Sequence, residues 1–363
     1  MTEGTIADLA SIRAQFWPGP GITYLDTATY GLPPQATVDA LHRAELAWQA
    51  GTADWQSDWD IPSDQAPTDF AKLIGAPGNT IATIPAASVG TGLVAGMLGA
   101  ADEVVVPADE FTSTLFPRLV AKERGATIRE VAFDDMASSI TPSTTLVALS
   151  LVQMQTGRVA DLEAILQAAE RHGTRLLIDA TQGVPFVALG AVIDRIDYLV
   201  CSGYKHLLSP RGTAYLYVRP DRWEGLEPRN ANWRAADLPF GRYFGGPLTL
   251  APDARRFDVS RGWFPWLGAT TSLRLLTEWQ AAGAFGAVLE LAKGLAERLA
   301  VPWYGGSVVC APLADGEAAR AALAAAGVRA SVRGTAIRFA VHVYNTEADL
   351  DRAAEAIRPF RGS

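Results

Sequence analysis

Residues 175–182 read RLLIDATQ, and residues 197–212 read DYLVCSGYKHLLSPRG. Each segment opens on an apolar, β-prone run about as long as one buried strand. The first run ends on Asp179; the second ends at Ser202, and Lys205 follows 26 residues after Asp179. Gly203 permits a tight turn there. Parallel neighbours end on the same side of a sheet, so both charges are expected in one crevice at the carboxyl ends of the strands. A carboxylate in that place needs a partner, because an isolated buried charge is costly. Lys205 sits between a buried strand and the apolar HLLSPRG, an unusual setting for a solvated surface lysine.

Outward from these two strands the alternation continues. TIATIP, DEVVVPA, TLVALSLV and GTAYLYV are further β-rich runs between residues 70 and 220. VADLEAILQAAERHG places Leu162, Ile165, Leu166 and Ala169 on one helical face, with Asp161 suited to the start and Gly173 to the end. Strands alternating with helices imply a largely parallel sheet covered on both faces. Residues 1–60 read as an arm, TYLDTATYGLPP, followed by a helix over residues 35–49. From about residue 253 the texture turns to Ala-rich helices, then to strands in SVVCAPL, GVRASVRG and TAIRFAVHVY. Thr346 and Asp349 resemble a capping box opening a last helix. The expected division is an N-terminal arm and helix (1–60) packed on or near a small domain, a large domain (61–255), and connecting helices with a C-terminal small α/β domain (256–363).

Composition narrows the function. The chain has 363 residues, a formal charge of −8 and a pI near 5.1, without a basic run, which argues against nucleic acid as a partner. No apolar run reaches bilayer length, and the first 20 residues lack the basic start of a secretory signal, so a soluble, cytoplasmic chain is expected. Cys201 and Cys310 show no metal or disulfide spacing, and His42, His172, His206 and His342 form no close pair, so no metal site is expected. GTGLVAG at residues 90–96 has the wrong glycine spacing for a dinucleotide fingerprint.

Schiff-base chemistry requires a partly buried lysine of lowered pKa, and a pyridinium nitrogen requires a carboxylate to stay protonated. D-A-T-Q followed by S-G-Y-K carries both, and there the chain resembles the class V aminotransferase family of pyridoxal 5'-phosphate (PLP) enzymes. The resemblance runs from YLDTATYGLPP to RFAVHVYNTEADLD. It implies an α/β, aspartate-aminotransferase-like fold, with Lys205 as the Schiff-base lysine and Asp179 on the pyridine nitrogen. It also implies Gln182 at the ring oxygen, Ser202 and Tyr204 at the phosphate, and Ser88, Val89 and Gly90 as the phosphate-cradling turn. Phe111 takes the place of the stacking ring, and Arg338 that of the arginine gripping a substrate α-carboxylate, with Ala28 also on the substrate side. Ser260 and Arg261 fall where a partner subunit contributes to the phosphate site, implying a homodimer. Plainer roles exist for some of these: Phe111 as core, Ser88 as a helix cap, Arg338 in a structural ion pair.

The chain departs from cysteine desulfurases, one branch of that family. The segment before Arg338, GVRASVRGTAIRF, lacks the nucleophilic cysteine, and Phe111 stands where they carry a histidine. Acid–base work then falls on Lys205. In QMQTG either Gln153 or Gln155 is a candidate to face the site. Trp55, Trp59, Trp263 and Trp266 lie near the expected mouth and hint at an apolar or aromatic substrate moiety. The expected activity is transamination of an amino-acid-like substrate. The alternatives are β-lysis of a cysteine conjugate, for which PRG and R-x-x-x-H-x-x-N-T resemble the ergothioneine-pathway lyase, or epimerisation. A non-catalytic ligand-binding protein ranks last.

Overall fold

The computed structural model describes residues 9–241 and 243–362. Residues 1–8, part of the stretch read for a secretory signal, lie outside them.

The apolar runs become a seven-stranded sheet in the order Ile81–Ile84, Ala214–Val218, Tyr198–Ser202, Arg175–Asp179, Thr144–Ser150, Glu103–Pro107, Thr127–Val131. From Tyr198–Ser202 to Thr127–Val131 every pairing is parallel, and Ala214–Val218 is antiparallel to both neighbours. Both faces are covered. Leu176 and Ile178 face one apolar core and Leu177 the other, as the two-residue period of a strand requires. The edge strand Thr127–Val131 was not expected from sequence. TIREV is half-exposed and carries two charges, so it lacks the apolar run that betrays a strand buried on both faces.

Local signals land where the chain places them. The helix Leu162–His172 starts at Asp161, whose side chain accepts from Ala164 N, and ends at Gly173 with φ 68°. The helix expected over residues 35–49 spans Gln35–Ala50. Thr346 and Asp349 form a reciprocal capping box on Glu347–Ile357.

The C-terminal strands need correction. GVRASVRG breaks into Val328–Arg329, which pairs in parallel with Thr23–Tyr24 of the N-terminal arm, and Ser331–Arg333. The run TAIRFAVHVY is a strand only over Ala336–Ala340, between Ser331–Arg333 and Val308–Pro312 in an antiparallel sheet. Beyond it, side chains replace the ladder: His342 N donates to Asn345 Oδ1, and Val343 N to His342 Nδ1.

The arm then crosses to the central sheet. Asp26 bridges to Ala340, and five residues later Gly31 N donates to the carbonyl of Tyr204 at 2.9 Å. The C-terminal sheet and the Lys205 loop are thus stitched to the same short segment.

Candidate active site

Asp179 and Lys205 do share one crevice. Their strands pair in parallel, with Asp179 opposite Val200, and both side chains line a cavity at the carboxyl ends. The Asp179 carboxylate accepts from Thr181 N at 2.9 Å. The Thr181 hydroxyl in turn accepts from Ser202 N at 3.0 Å, tying one strand end to the next. Gly203 is required in the following turn, because a Cβ there would stand 2.3 Å from Thr213 Oγ1. Lys205 is only 6% exposed. Its amine lies 5.2 Å from the centre of the Phe111 ring and 5.8 Å from that of Tyr204. Burial lowers its pKa to about 8; Asp179 opposes the shift, and Arg338 and Arg333 add to it.

Two charged groups behind this wall were missed from sequence. Glu110 accepts from Phe111 N and from both the amide and the hydroxyl of Ser150, the residue paired with Asp179. Burial raises its pKa against those hydrogen bonds, and Asp179 adds to the rise. Arg118 is wholly buried, its Nη1 donating to the carbonyls of Thr91 and Thr114 while Nε and Nη2 have no partner. Burial lowers its pKa to about 10, with Glu110 and Asp179 holding it up. The 40 residues between Glu110 and Ser150 explain why no local pattern announced the pair.

Gln182 is held at both ends. Its amide nitrogen donates to Ala28 O at 3.0 Å, and its oxygen lies 2.9 Å from His206 Nε2. Ala28 is fully buried, so its link to the site is this backbone carbonyl rather than its side chain. His342 Nε2 reaches the carbonyl of His206 at 3.0 Å, and burial holds both imidazoles well on the neutral side. Phe111, Ser202 and Tyr204 line the cavity, as does Met154, whereas Gln155 is exposed and Gln153 is buried accepting from Thr156. Arg338 is 2% exposed; its Nη2 donates to Thr29 Oγ1 at 2.8 Å and lies 3.4 Å from Asp26, while Nε and Nη1 have no partner.

Other expectations shift. Ser88, Val89 and Gly90 lie in the first turn of the helix Ala87–Ala95, but Ala87 is the member of that turn that lines the cavity. A Cβ on Gly90 would stand 2.8 Å from Val200 and 2.9 Å from Ile84, so this glycine lets the helix sit on the sheet. Val89 packs against the same core. Arg261 is no free cation. It is buried, with Nη1 2.7 Å from Asp64, Nη2 3.8 Å from Asp258 and Nε donating to Thr83, beside Arg234 and Asp60. A buried guanidinium must be compensated, and its own chain does so; neighbouring Ser260 is exposed. Trp55 stacks with Trp263 at 5.6 Å and Trp59 packs against it, tilted, at 5.3 Å, in a cluster that also takes in Trp233 and Tyr243, apart from the cavity lining.

The sequence model of the Aminotransferase class-V family matches residues 23–232, more than half of the chain and all of the cavity lining. The chain belongs to the class-V aminotransferase family. Isopenicillin N epimerase of Streptomyces clavuligerus is 26% identical, over 98% of this chain and 99% of its own. A probable cysteine desulfurase of Vibrio cholerae is 28% identical over 61% of each, and an uncharacterized aminotransferase of Bacillus subtilis 28% over 53% of each. Among solved structures, the cysteine desulfurase CsdA of Escherichia coli has a TM-score of 0.81 at 22% identity, covering 98% of both chains. The cystine C–S lyase C-DES has a TM-score of 0.84 at 20%, covering 94% of this chain and 99% of its own; both show the fold. This class-V protein is a PLP-dependent enzyme. Its cavity suits that cofactor: an amine lowered to about 8, a carboxylate across from it, an aromatic ring, and a helix start. Helix geometry leaves the amides of Ala87 and Ser88 without an acceptor within that helix, as an anion site requires, while Val89 N donates to the Ala86 carbonyl.

Proposed function

We propose that this class-V enzyme acts on an α-amino acid, using Lys205 as both the attachment point of the cofactor and the carrier of the Cα proton, and that transamination is the outcome. One observation carries the reading. Among the described residues, the ionisable groups lining the cavity are Asp179, Lys205 and Tyr204, and burial lowers the pKa of the Lys205 amine to about 8. PLP, when bound, supplies an electron sink for the bond broken at Cα. Asp179 would hold a proton on the ring nitrogen, and the ring of Phe111 would cover one face. The amides of Ala87 and Ser88, with Ser202 and Tyr204, would take the phosphate. Arg338 would grip the α-carboxylate through its unpartnered nitrogens. The Lys205 amine, displaced by substrate, would then take the Cα proton and return it one carbon away.

A thiol route has less support. Burial pushes the Cys201 thiol up, and Cys310 up to about 12, so neither is a ready thiolate. The same lysine also suffices for β-elimination from a cysteine conjugate, and the similar C-DES is a cystine C–S lyase. Product analysis separates the two: a transaminase yields the substrate's oxo acid and the amine form of the cofactor, a lyase pyruvate, ammonia and a thiol. Borohydride reduction followed by peptide mapping should place the cofactor adduct on Lys205, and an adduct on another lysine would overturn the assignment.

We also propose a homodimer. Leu238, Phe244 and Leu248 are exposed beside the Trp55–Trp233–Tyr243 cluster, with Phe244 at 91%. Such an apolar face favours a partner surface. Sedimentation should give a dimer that Phe244→Glu weakens; an active wild-type monomer would refute it.

A further inference from the structure

The strand paired with the one that carries Arg338 presents a second guanidinium to the same side. Ile337 and Phe339 are fully buried in the core, so Arg338 lies on the opposite face of the strand, toward Asp26 and Thr29. In the antiparallel pairing, Ser331 stands directly across from Arg338, and Arg333 across from Ala336. Cross-strand partners share a face, so Ser331 and Arg333 lie on the Arg338 side. Arg333 is anchored there: its Nε donates to Ser331 Oγ at 3.2 Å, which turns the side chain back along the strand toward Arg338.

Two like charges thus lie diagonally across one face, an arrangement that sets the residues about 7–8 Å apart, with their Cβ atoms somewhat closer. Arg338 pairs with Asp26, but among the described residues no carboxylate forms a salt bridge with Arg333. An exposed arginine is ordinarily a solvated surface group. This one differs in being tethered and in having its charge felt at Lys205, Arg338 and Cys310. Cys310, across from Arg338 on its other side, has a thiol raised by burial and so offers no anion of its own. An anion from outside would relieve the repulsion between the two guanidinia.

We infer that Arg333 is a second anion-binding residue, and that the substrate is an α-amino acid whose side chain ends in a carboxylate or a comparable acid. This rests on the α-amino-acid reading above: Arg338 takes the α-carboxylate, and Arg333 the distal acid. A short chain between the two acids suits neighbouring guanidinia, and a neutral or cationic end leaves Arg333 unmatched.

The test uses the PLP-loaded enzyme and two pairs of amino acids, glutamate with glutamine and aspartate with asparagine. Apparent affinity is read from the cofactor's absorbance change. At least one acid should bind about tenfold or more tightly than its amide. Arg333→Gln should abolish that preference while leaving amide binding within about twofold, and Arg333→Glu should shift preference toward lysine or ornithine. A wild-type enzyme without preference for the acid, or an Arg333→Gln variant that keeps it, overturns the inference while the α-amino-acid reading stands. Loss of the preference in Arg211→Gln instead would move the site to the guanidinium stacked 5.4 Å over Tyr204, and would equally refute it. If no amino acid of any charge perturbs the absorbance, the α-amino-acid reading falls and this inference falls with it.

Discussion

Gly31 offers the most direct test of how the Lys205 loop is held. A Cβ at this position would stand 2.2 Å from the Lys205 carbonyl oxygen, 2.6 Å from a Leu208 methyl and 3.3 Å from Leu208 Cα. Carbon and carbonyl oxygen ordinarily approach to about 3.3 Å, so Gly31→Ala must open a gap of about 1 Å. The neighbour being pushed is backbone, which cannot rotate away. The arm is equally constrained, since Gly31 N donates to Tyr204 O at 2.9 Å and Ala28 O is taken by Gln182. The displacement therefore passes to Lys205. Overpacking of this size costs about 1–3 kcal/mol of stability. A misplacement of about 1 Å in a reacting group costs on the order of 100-fold in rate. The assay is the single-turnover change in cofactor absorbance at saturating amino acid, beside a urea melt of the same sample. Gly286→Ala is the control: it lies in the helix Ala284–Arg298, and a Cβ there meets nothing within 4 Å. It should gain about 0.5–1 kcal/mol and leave the rate alone. A Gly31→Ala enzyme that is folded, loaded and within twofold of wild type in rate would refute the argument.

Four further outcomes follow. Asp179→Ala should keep the covalent cofactor yet lose turnover by orders of magnitude, because it removes only the group that holds the ring proton; near-normal turnover rules out that role. In the cofactor-free protein, the rate of PLP attachment should rise about tenfold per pH unit up to about 8 and then level, since only the neutral Lys205 amine attacks. The same lowered pKa means the unfolded chain binds more protons between about 8 and the ordinary lysine value of 10.5, so apo-protein stability should rise with pH across that window; a rate still climbing at pH 10 contradicts the shift. Arg261→Met should cost about 3 kcal/mol by breaking a buried ion pair while cofactor affinity stays within threefold, and selective loss of cofactor with stability intact would restore a phosphate role.

What the chain announced by itself was local. Six of the seven strands of the central sheet show as apolar runs because a strand buried on both faces tolerates little else, and the half-exposed edge strand Thr127–Val131 does not. Asp161, Gly173, Thr346 and Asp349 were legible because a cap acts on backbone within one turn. Asp179 and Lys205 could be brought together from sequence because each follows the end of such a run, and the parallel pairing puts both ends on one side.

Everything that depends on which distant segments meet was decided by the tertiary structure. Arg261 looks like a free cation in SRGWFPW, yet it is neutralised by Asp64, 197 residues away. Gly90 reads as part of an anion cradle, and only the tertiary structure shows that its lack of a Cβ is also needed for the helix to sit on the sheet. Arg333 and Arg338 are five residues apart in the chain, and only the hairpin register puts them on one face. Backbone conformation and capping are set by neighbours within a few residues, whereas burial, ion pairing and the facing of side chains are set by topology. Sequence separation carries no trace of that until the sheet has formed.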